Sequence, residues 1–278
     1  MHRSYSNIIC IAGKNNIAVD VCQYVLDHYP QIKVYALTNR NDEGIDNWQR
    51  SYLKFVQETP NVTLTSLEKM YGIKDLIFIS VEYDRIINPK LFKTNYLYNL
   101  HFSLLPAYKG VYPSVWPILN GEQRSGVTLH YMDQGIDTGD IIAQKIIPLS
   151  KSETSFSLYF KLIDAGTKLV IRYIDRLLKH NVKGYQQPIG GSTYYSRQSI
   201  DYSNIKIDLF KTAAQIDSQI RAYYFPAYQL PKVFGVAITH TRITKERSMV
   251  KAGILLLQTK RYLKVSTIDY NILLYRKD

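Results

Sequence analysis

Asn99 and His101 lie two residues apart in the segment YLYNLHF, residues 96–102. This segment is rich in aromatic and apolar residues, which predicts a strand, and residues two apart on a strand project from the same face. A neutral amide beside a titratable imidazole is half of an acyl-transfer site, since the amide can hold a developing oxyanion and the imidazole can move protons. Taken alone, the pair is better explained as a strand cap and a hydrogen-bonded core histidine.

Asp137 is the third candidate. It begins the turn DTGD, residues 137–140, whose small residues allow the backbone to approach a ligand closely. A carboxylate in this turn can orient His101 or stabilise its charged form. Taken alone, Asp137 is better explained as an ordinary Asx turn.

The segments that must position these residues alternate between strand and helix signals in the first third of the chain. Residues at helical spacing, Val19, Cys22 and Val25, are followed by Pro30. Continuous apolar runs predict strands over residues 7–12, 33–38 and 75–81. This alternation predicts a largely parallel sheet flanked by helices, with ligands at the carboxyl ends of the strands.

The remaining segments predict a second, smaller domain after Gly190 and Gly191. Before that pair we expect strands over 126–132 and 140–148, a short helix within 113–121 and a long helix that ends near His180. After it we expect a helix around 209–220 and short strands at 236–238, 254–257, 262–266 and 272–275. The predicted domains are therefore residues 1–190 and residues 191–278, the second mainly β.

Motifs and composition exclude several classes of function. The first turn, GKNNIA, is not a dinucleotide fingerprint, and neither a Walker A sequence nor an H-E-x-x-H zinc motif occurs. Two cysteines in 278 residues cannot form a disulfide framework, and no apolar run is long enough to span a bilayer. We expect a cytoplasmic protein with no metal. The net charge of +12 is compatible with nucleic acid, phosphorylated substrates or a membrane surface and does not choose among them.

Three longer motifs carry a resemblance to a known family. They are NLHFSLLPAYKG (99–110), GVTLHYMD (126–133) and GIDTGDIIAQ (135–144). In this order and spacing they resemble the catalytic core of the 10-formyltetrahydrofolate-dependent formyltransferases. The family includes methionyl-tRNA formyltransferase, glycinamide ribonucleotide transformylase and the sugar-nucleotide N-formyltransferases. The resemblance implies a Rossmann-like α/β core and a small, mainly β C-terminal domain.

The same resemblance implies roles for individual residues. Asn99, His101 and Asp137 match the family's catalytic trio. His101 would take the proton of the attacking amine, Asn99 would donate to the oxygen of the tetrahedral intermediate, and Asp137 would orient His101. The cosubstrate 10-formyltetrahydrofolate is expected to bind at Asp84, Arg85, Ile86 and Ile87, with Asp140 on the opposite wall. From the sequence alone, Asp84 and Arg85 would be read as a surface pair.

The acceptor of the formyl group is predicted to be the amine of a dTDP-linked amino-dideoxyhexose, at C3 or C4, for surface polysaccharide or O-antigen synthesis. The segments VYPSVWPILNGE (111–122) and RAYYFPAY (221–228) are similar to those enzymes. Lys109 is a candidate for the diphosphate, and Tyr223, Tyr224 and Phe225 are candidates for stacking on the base. An equally fair interpretation is that Lys109 is solvated and that these aromatic residues pack against protein.

Three alternatives stay open. A methionyl-tRNA formyltransferase also has a C-terminal β domain, although the last 45 residues look short for it. A formyltetrahydrofolate hydrolase would carry an additional N-terminal regulatory domain, whereas the first predicted strand begins by Asn7. A basic RNA-binding module would be indifferent to substitution of the trio. Under the favoured prediction we expect a homodimer that binds a small sugar nucleotide, with neither nucleic acid nor membrane as partner.

Overall fold

The structure, a computed structural model, describes residues 5–277. Residues 1–4 and Asp278, which belong to the two predicted domains, lie outside the described residues. The helices are α1 (Asn15–His28), α2 (Tyr52–Glu58), α3 (Leu67–Met70), α4 (Trp116–Leu119), α5 (Ser155–Leu178) and α6 (Ala213–Tyr223). Among residues 5–277, no helix combines the length and apolar character needed to cross a bilayer.

The strands of the first two thirds are β1 (Ile8–Gly13), β2 (Lys33–Thr38), β3 (Val62–Leu64), β4 (Leu76–Val81), β5 (Leu97–His101), β6 (Lys109–Gly110), β7 (Arg124–Tyr131) and β8 (Ile141–Pro148). The later strands are β9 (Tyr194–Tyr195), β10 (Lys232–Val233), β11 (Val236–Arg247), β12 (Leu255–Gln258), β13 (Tyr262–Val265) and β14 (Tyr270–Arg276).

The large sheet has the order β3-β2-β1-β4-β5-β7-β8. The pairs from β3 to β5 are parallel, and β5 pairs with β7 in antiparallel orientation. Strands β1 and β4 are buried over almost their whole length, as expected for strands covered on both faces. The predicted α/β class with a largely parallel sheet is confirmed.

Contacts divide the chain into two compact units. The first contains residues up to Gly110 together with 126–147 and 161–194, and the second contains 111–125, 148–160 and the chain from Tyr195 onwards. The division into domains 1–190 and 191–278 stays a prediction. The second unit as described here also includes two stretches that precede residue 190.

The second unit holds an antiparallel sheet of order β10-β11-β14-β13-β12. Helix α6 begins with a capping box, in which the Thr212 and Gln215 side chains each accept a hydrogen bond from the other residue's backbone N–H. Its buried residues at helical spacing, Ala213, Ile216 and Ile220, join a core with sheet residues such as Leu263 and Ile272. The predicted mainly β C-terminal region is confirmed.

Several segment boundaries differ from the predictions. Strand β2 has the predicted limits, but the short helix within 113–121 covers only Trp116–Leu119. The elements α2, β3 and α3 are absent from the predictions, because short segments with mixed polarity carry no clear periodicity.

Candidate active site

Strand β5 brings Asn99 and His101 to one face of the large sheet, next to β7. In the antiparallel pairing of the two strands, Asn99 lies opposite His130 and His101 lies opposite Thr128. Directly opposed residues project from the same face, so the His130 side chain joins the Asn99 and His101 side chains. His130 was not among the predicted site residues. The sequence shows it as one polar residue in a strand, but the register that places it opposite Asn99 is set by tertiary pairing.

Asp137 is the residue on which the site converges. Asn99 Nδ2 donates a hydrogen bond to Asp137 Oδ1 over 3.2 Å, and His101 Nδ1 lies 3.4 Å from Oδ2. The backbone N–H of Gly110 donates to Oδ2 over 2.8 Å. Asn99 and His101, the other two residues of the predicted catalytic trio, are therefore each within hydrogen-bond or ion-pair distance of Asp137.

The Asp137 carboxyl group is held in its ionised form. Burial raises its pKa, but the nearby charge of His101, the hydrogen bond from the Gly110 N–H and the proximity of His130 together outweigh burial, and the net pKa is well below the usual value. Only 11% of the Asp137 side chain is exposed. With so little solvent contact, the Asp137 charge interacts mainly with the polar groups of the protein around it.

The His101 ring is fixed by two partners. Its Nε2 lies 2.7 Å from the carbonyl oxygen of Tyr108, so Nε2 carries a hydrogen and donates it. The Tyr108 backbone has a positive φ of 60°, and its N–H donates to Thr193 Oγ1 over 2.7 Å. The other ring nitrogen, Nδ1, faces the Asp137 carboxylate.

The Asn99 amide has a second acceptor. Asn99 Nδ2 lies 3.0 Å from His130 Nε2, while His130 Nδ1 lies 2.7 Å from the backbone carbonyl of Tyr131. His130 Nε2 is also 3.6 Å from Asp137 Oδ1. His101 and His130 are buried, with 6% and 2% exposure, whereas Asn99 is half-buried. The site thus consists of three polar side chains around one carboxylate.

The turn that presents Asp137 is built from side chains as well as backbone. Asp137 itself has a φ of 55°, a conformation that most residues avoid. Gln187 Nε2 donates to the carbonyl oxygens of Asp137 and Gly139, both over 2.8 Å. A Cβ at Gly139 would lie 1.9 Å from the Tyr131 carbonyl oxygen, so this position accepts only glycine without a backbone shift. Gln187 is a second site residue that no sequence pattern singles out.

The residues predicted to bind the cosubstrate follow β4 at its carboxyl end. Asp84 accepts hydrogen bonds on Oδ2 from the backbone N–H and the Nε of Arg40, whereas its buried Oδ1 has no partner among residues 5–277. Arg85 pairs with Glu68 over 2.9 Å, so Asp84 and Arg85 do not form the surface pair suggested by the sequence alone. Ile86 is 82% exposed, whereas Ile87 packs against a buried cluster that includes Leu76 and Phe78 of β4.

Asp140, the last predicted cosubstrate residue, is exposed, and its backbone carbonyl accepts from the Tyr131 N–H over 2.9 Å. In the first unit, Lys109 donates its backbone N–H to the Thr193 carbonyl over 2.9 Å, and its side chain is partly exposed.

The predicted base-stacking residues differ in their surroundings. Phe225 is buried, with a stacked ring contact to Tyr228 and edge contacts to Phe156 and Tyr159. Tyr223 and Tyr224 are partly exposed, and burial raises the pKa of Tyr223. Protein therefore surrounds the Phe225 ring, and base stacking is better proposed for the two tyrosines.

The comparison with protein families identifies the core. Residues 4–174 match the family described as formyl transferase. The chain belongs to this formyl transferase family. The matched residues include Asn99, His101, His130 and Asp137, so the polar cluster described above lies within the part of the chain that matches the family.

Two solved structures are similar to this formyl transferase over nearly its whole length. An N-formyltransferase from Helicobacter canadensis, in complex with folinic acid and dTDP-3-aminofucose, is 40% identical with a TM-score of 0.88. The similarity covers 97% of this chain and 99% of that one. WlaRD, a sugar 3N-formyl transferase studied in the presence of dTDP and 5-N-formyl-THF, is 39% identical with a TM-score of 0.89, and the similarity covers 99% of both chains.

A methionyl-tRNA formyltransferase is also similar. The enzyme of Clostridium beijerinckii is 31% identical over 214 residues, which is 76% of this chain and 68% of that protein. The two kinds of relative differ in the acceptor that their names state.

Proposed function

We propose that this formyl transferase is a sugar-nucleotide N-formyltransferase that uses 10-formyltetrahydrofolate and formylates the C3 amine of a dTDP-linked 3-amino-dideoxyhexose. The observation that carries the proposal is the similarity at about 40% identity to two sugar N-formyltransferases across 99% of each of those chains. One of them was solved with dTDP-3-aminofucose and the other is described as a sugar 3N-formyl transferase. These descriptions favour C3 over C4, a choice that the sequence left open.

The residues after β4 fit the proposed cosubstrate. The unpartnered Asp84 Oδ1 is an acceptor that the amino and ring N–H groups of a pterin can satisfy. Exposed Ile86 offers apolar surface beside it. When bound, 10-formyltetrahydrofolate supplies the formyl group. The reaction moves this group from a folate nitrogen to the nitrogen of the sugar amine. Arg85, Ile87 and Asp140 remain proposed members of this site.

His101 is proposed to take the proton that the amine loses as its nitrogen bonds to the formyl carbon. Nδ1 is available for this because Nε2 already donates to the Tyr108 carbonyl. Asp137 Oδ2, 3.4 Å away, stabilises the imidazolium that results. The proton then returns to the leaving nitrogen, so the site ends the reaction in its starting state.

Asn99 is proposed to stabilise the formyl oxygen in the transition state, as the resemblance implies. Both of its amide hydrogens are held by His130 and Asp137 in this structure. A donor role therefore requires Asn99 to exchange one of these acceptors for the developing oxyanion.

The acceptor is tested with a panel. The purified protein and 10-formyltetrahydrofolate are incubated with dTDP-linked 3-amino and 4-amino sugars, UDP- and GDP-linked amino sugars, and charged initiator tRNA, with formylated product measured by mass. We expect the dTDP-linked 3-amino sugar to be formylated with the highest kcat/KM. Formylation of the tRNA alone would refute the sugar assignment and favour the methionyl-tRNA enzyme.

We also propose a homodimer, formed through the second unit. Strand β12 is the outer strand of its sheet, and its leucines 255, 256 and 257 are all exposed. An open strand edge that carries apolar side chains is a natural pairing surface for a second copy of the chain.

A further inference from the structure

The orientation of the Asn99 amide is determined by its two neighbours. Nδ2 lies 3.0 Å from His130 Nε2 and 3.2 Å from Asp137 Oδ1. An amide nitrogen carries two hydrogens, and these two acceptors use both.

Two separate constraints prevent the reversed amide orientation. On one side Asp137 is ionised, so an amide oxygen in place of Nδ2 would face a carboxylate oxygen. On the other side His130 Nδ1 lies 2.7 Å from the Tyr131 carbonyl, which requires a hydrogen on Nδ1. In the neutral ring this leaves Nε2 as an acceptor, which needs the amide nitrogen opposite it.

Because its amide nitrogen is held by these two groups, Asn99 presents its amide oxygen, Oδ1, as a hydrogen-bond acceptor for a ligand before the reaction begins. Its Oδ1 has no hydrogen-bond partner among residues 5–277, and the residue is half-buried, whereas the two histidines are buried. An amide oxygen accepts a hydrogen bond from an amine N–H, which is the group that a formyl acceptor presents.

We propose that His130 is a positioning residue for formyl transfer. By accepting one amide hydrogen of Asn99, it holds Asn99 Oδ1 in the orientation that receives an N–H of the acceptor amine. This proposal rests on the proposed function for the identity of the amine. His130 itself does not touch substrate, since only 3% of its side chain is exposed. No bond is formed or broken by His130, which acts through Asn99.

The fold gives His130 the rigidity that this role needs. Its place opposite Asn99 is set by the register of β5 and β7, and its tautomer is set by the Tyr131 carbonyl. The Tyr131 carbonyl packs closely against Gly139, and Gly139 belongs to the same turn as Asp137. The same turn therefore fixes both acceptors of the Asn99 amide.

Kinetics of two His130 variants test the proposal. His130→Leu removes the acceptor and keeps an apolar side chain in the buried position, and we expect kcat to fall on the order of 10²-fold because the amine loses its alignment. His130→Gln supplies a carbonyl oxygen that can accept the Asn99 hydrogen, and we expect it to recover most of this loss. Equal kcat in wild type and folded His130→Leu would overturn the assignment. An equal loss of kcat in folded His130→Leu and folded His130→Gln would also overturn it.

Nitrogen NMR of the histidines provides a test that needs neither substrate nor a variant. In the free wild-type protein at neutral pH we expect His130 to be protonated at Nδ1 and unprotonated at Nε2. A His130 ring with its hydrogen on Nε2 would overturn the proposal. If no amine in the acceptor panel is formylated, the proposed function fails while this measurement still decides the tautomer.

Discussion

At the scale of single residues, the site depends on one buried negative charge. Asp137 receives a hydrogen bond from the Gly110 N–H and one from Asn99, and it faces both histidines. Burial alone would raise its pKa, but the two histidines and the Gly110 N–H lower the pKa well below the usual value. The charged form of Asp137 is therefore bound more favourably in the folded protein than in the unfolded chain.

Replacing this carboxylate has a pH-dependent effect on stability. Because the folded pKa of Asp137 is lowered, its stabilising contribution is complete above the unfolded pKa of about 3.9 and is lost as pH falls through the folded pKa. The difference in unfolding free energy between wild type and Asp137→Asn should therefore shrink between about pH 5 and pH 3. Urea unfolding of both proteins at several pH values in this window measures it. A difference that grows on acidification would contradict the lowered pKa.

At the scale of elements, the turn after β7 connects the parts of the site. Gln187 holds the Asp137 and Gly139 carbonyls, and Gly139 lies against the Tyr131 carbonyl that orients His130. A change in this turn is therefore transmitted to Asp137 and to His130 together.

Gly139→Ala tests this connection. The added Cβ would lie 1.9 Å from the Tyr131 carbonyl oxygen, so the backbone must shift, and we expect a loss of stability of about 1–3 kcal/mol with a drop in kcat. Gly72→Ala is the matched control, because a Cβ there has nothing within 4 Å. Thermal unfolding and kcat are measured for both variants. Wild-type behaviour of Gly139→Ala would show that the turn tolerates the shift.

The elements also show which parts of the site the sequence could reveal. The spacing of Asn99 and His101 was sufficient to place them on one face, because that depends only on the period of a strand. The proximity of Asp137 to Asn99 and His101 was predicted from the family resemblance, and His130 was not predicted at all. Both depend on the pairing of β5 with β7 and on a turn with unusual backbone angles, which no local pattern specifies.

At the scale of the whole molecule, the positive charge is concentrated in the C-terminal sheet region. Residues 232–278 contain ten Lys and Arg against three Asp and Glu, a net +7 of the chain's +12. The same region carries the exposed edge strand β12. A dimer formed there brings like charges together, so screening by salt should favour it.

Sedimentation velocity tests this dimer. We expect wild type to sediment as a dimer that tightens as salt rises, and Leu257→Lys to be monomeric because it adds a charge to the exposed edge. Ile189→Lys is the control, since Ile189 is 99% exposed and belongs to the first unit. A monomeric wild type, or a dimeric Leu257→Lys, would contradict the proposed interface.

The most direct measurement is the turnover of His101→Ala with 10-formyltetrahydrofolate and a dTDP-linked 3-amino-dideoxyhexose, beside wild type. His101 is proposed to move the proton of the amine, a contribution of roughly 10²–10⁴ in rate, so kcat should fall by at least about 10²-fold. Circular dichroism and thermal unfolding establish that the variant is folded. Turnover close to that of wild type in the folded variant would contradict the proposed chemistry of Asn99, His101 and Asp137.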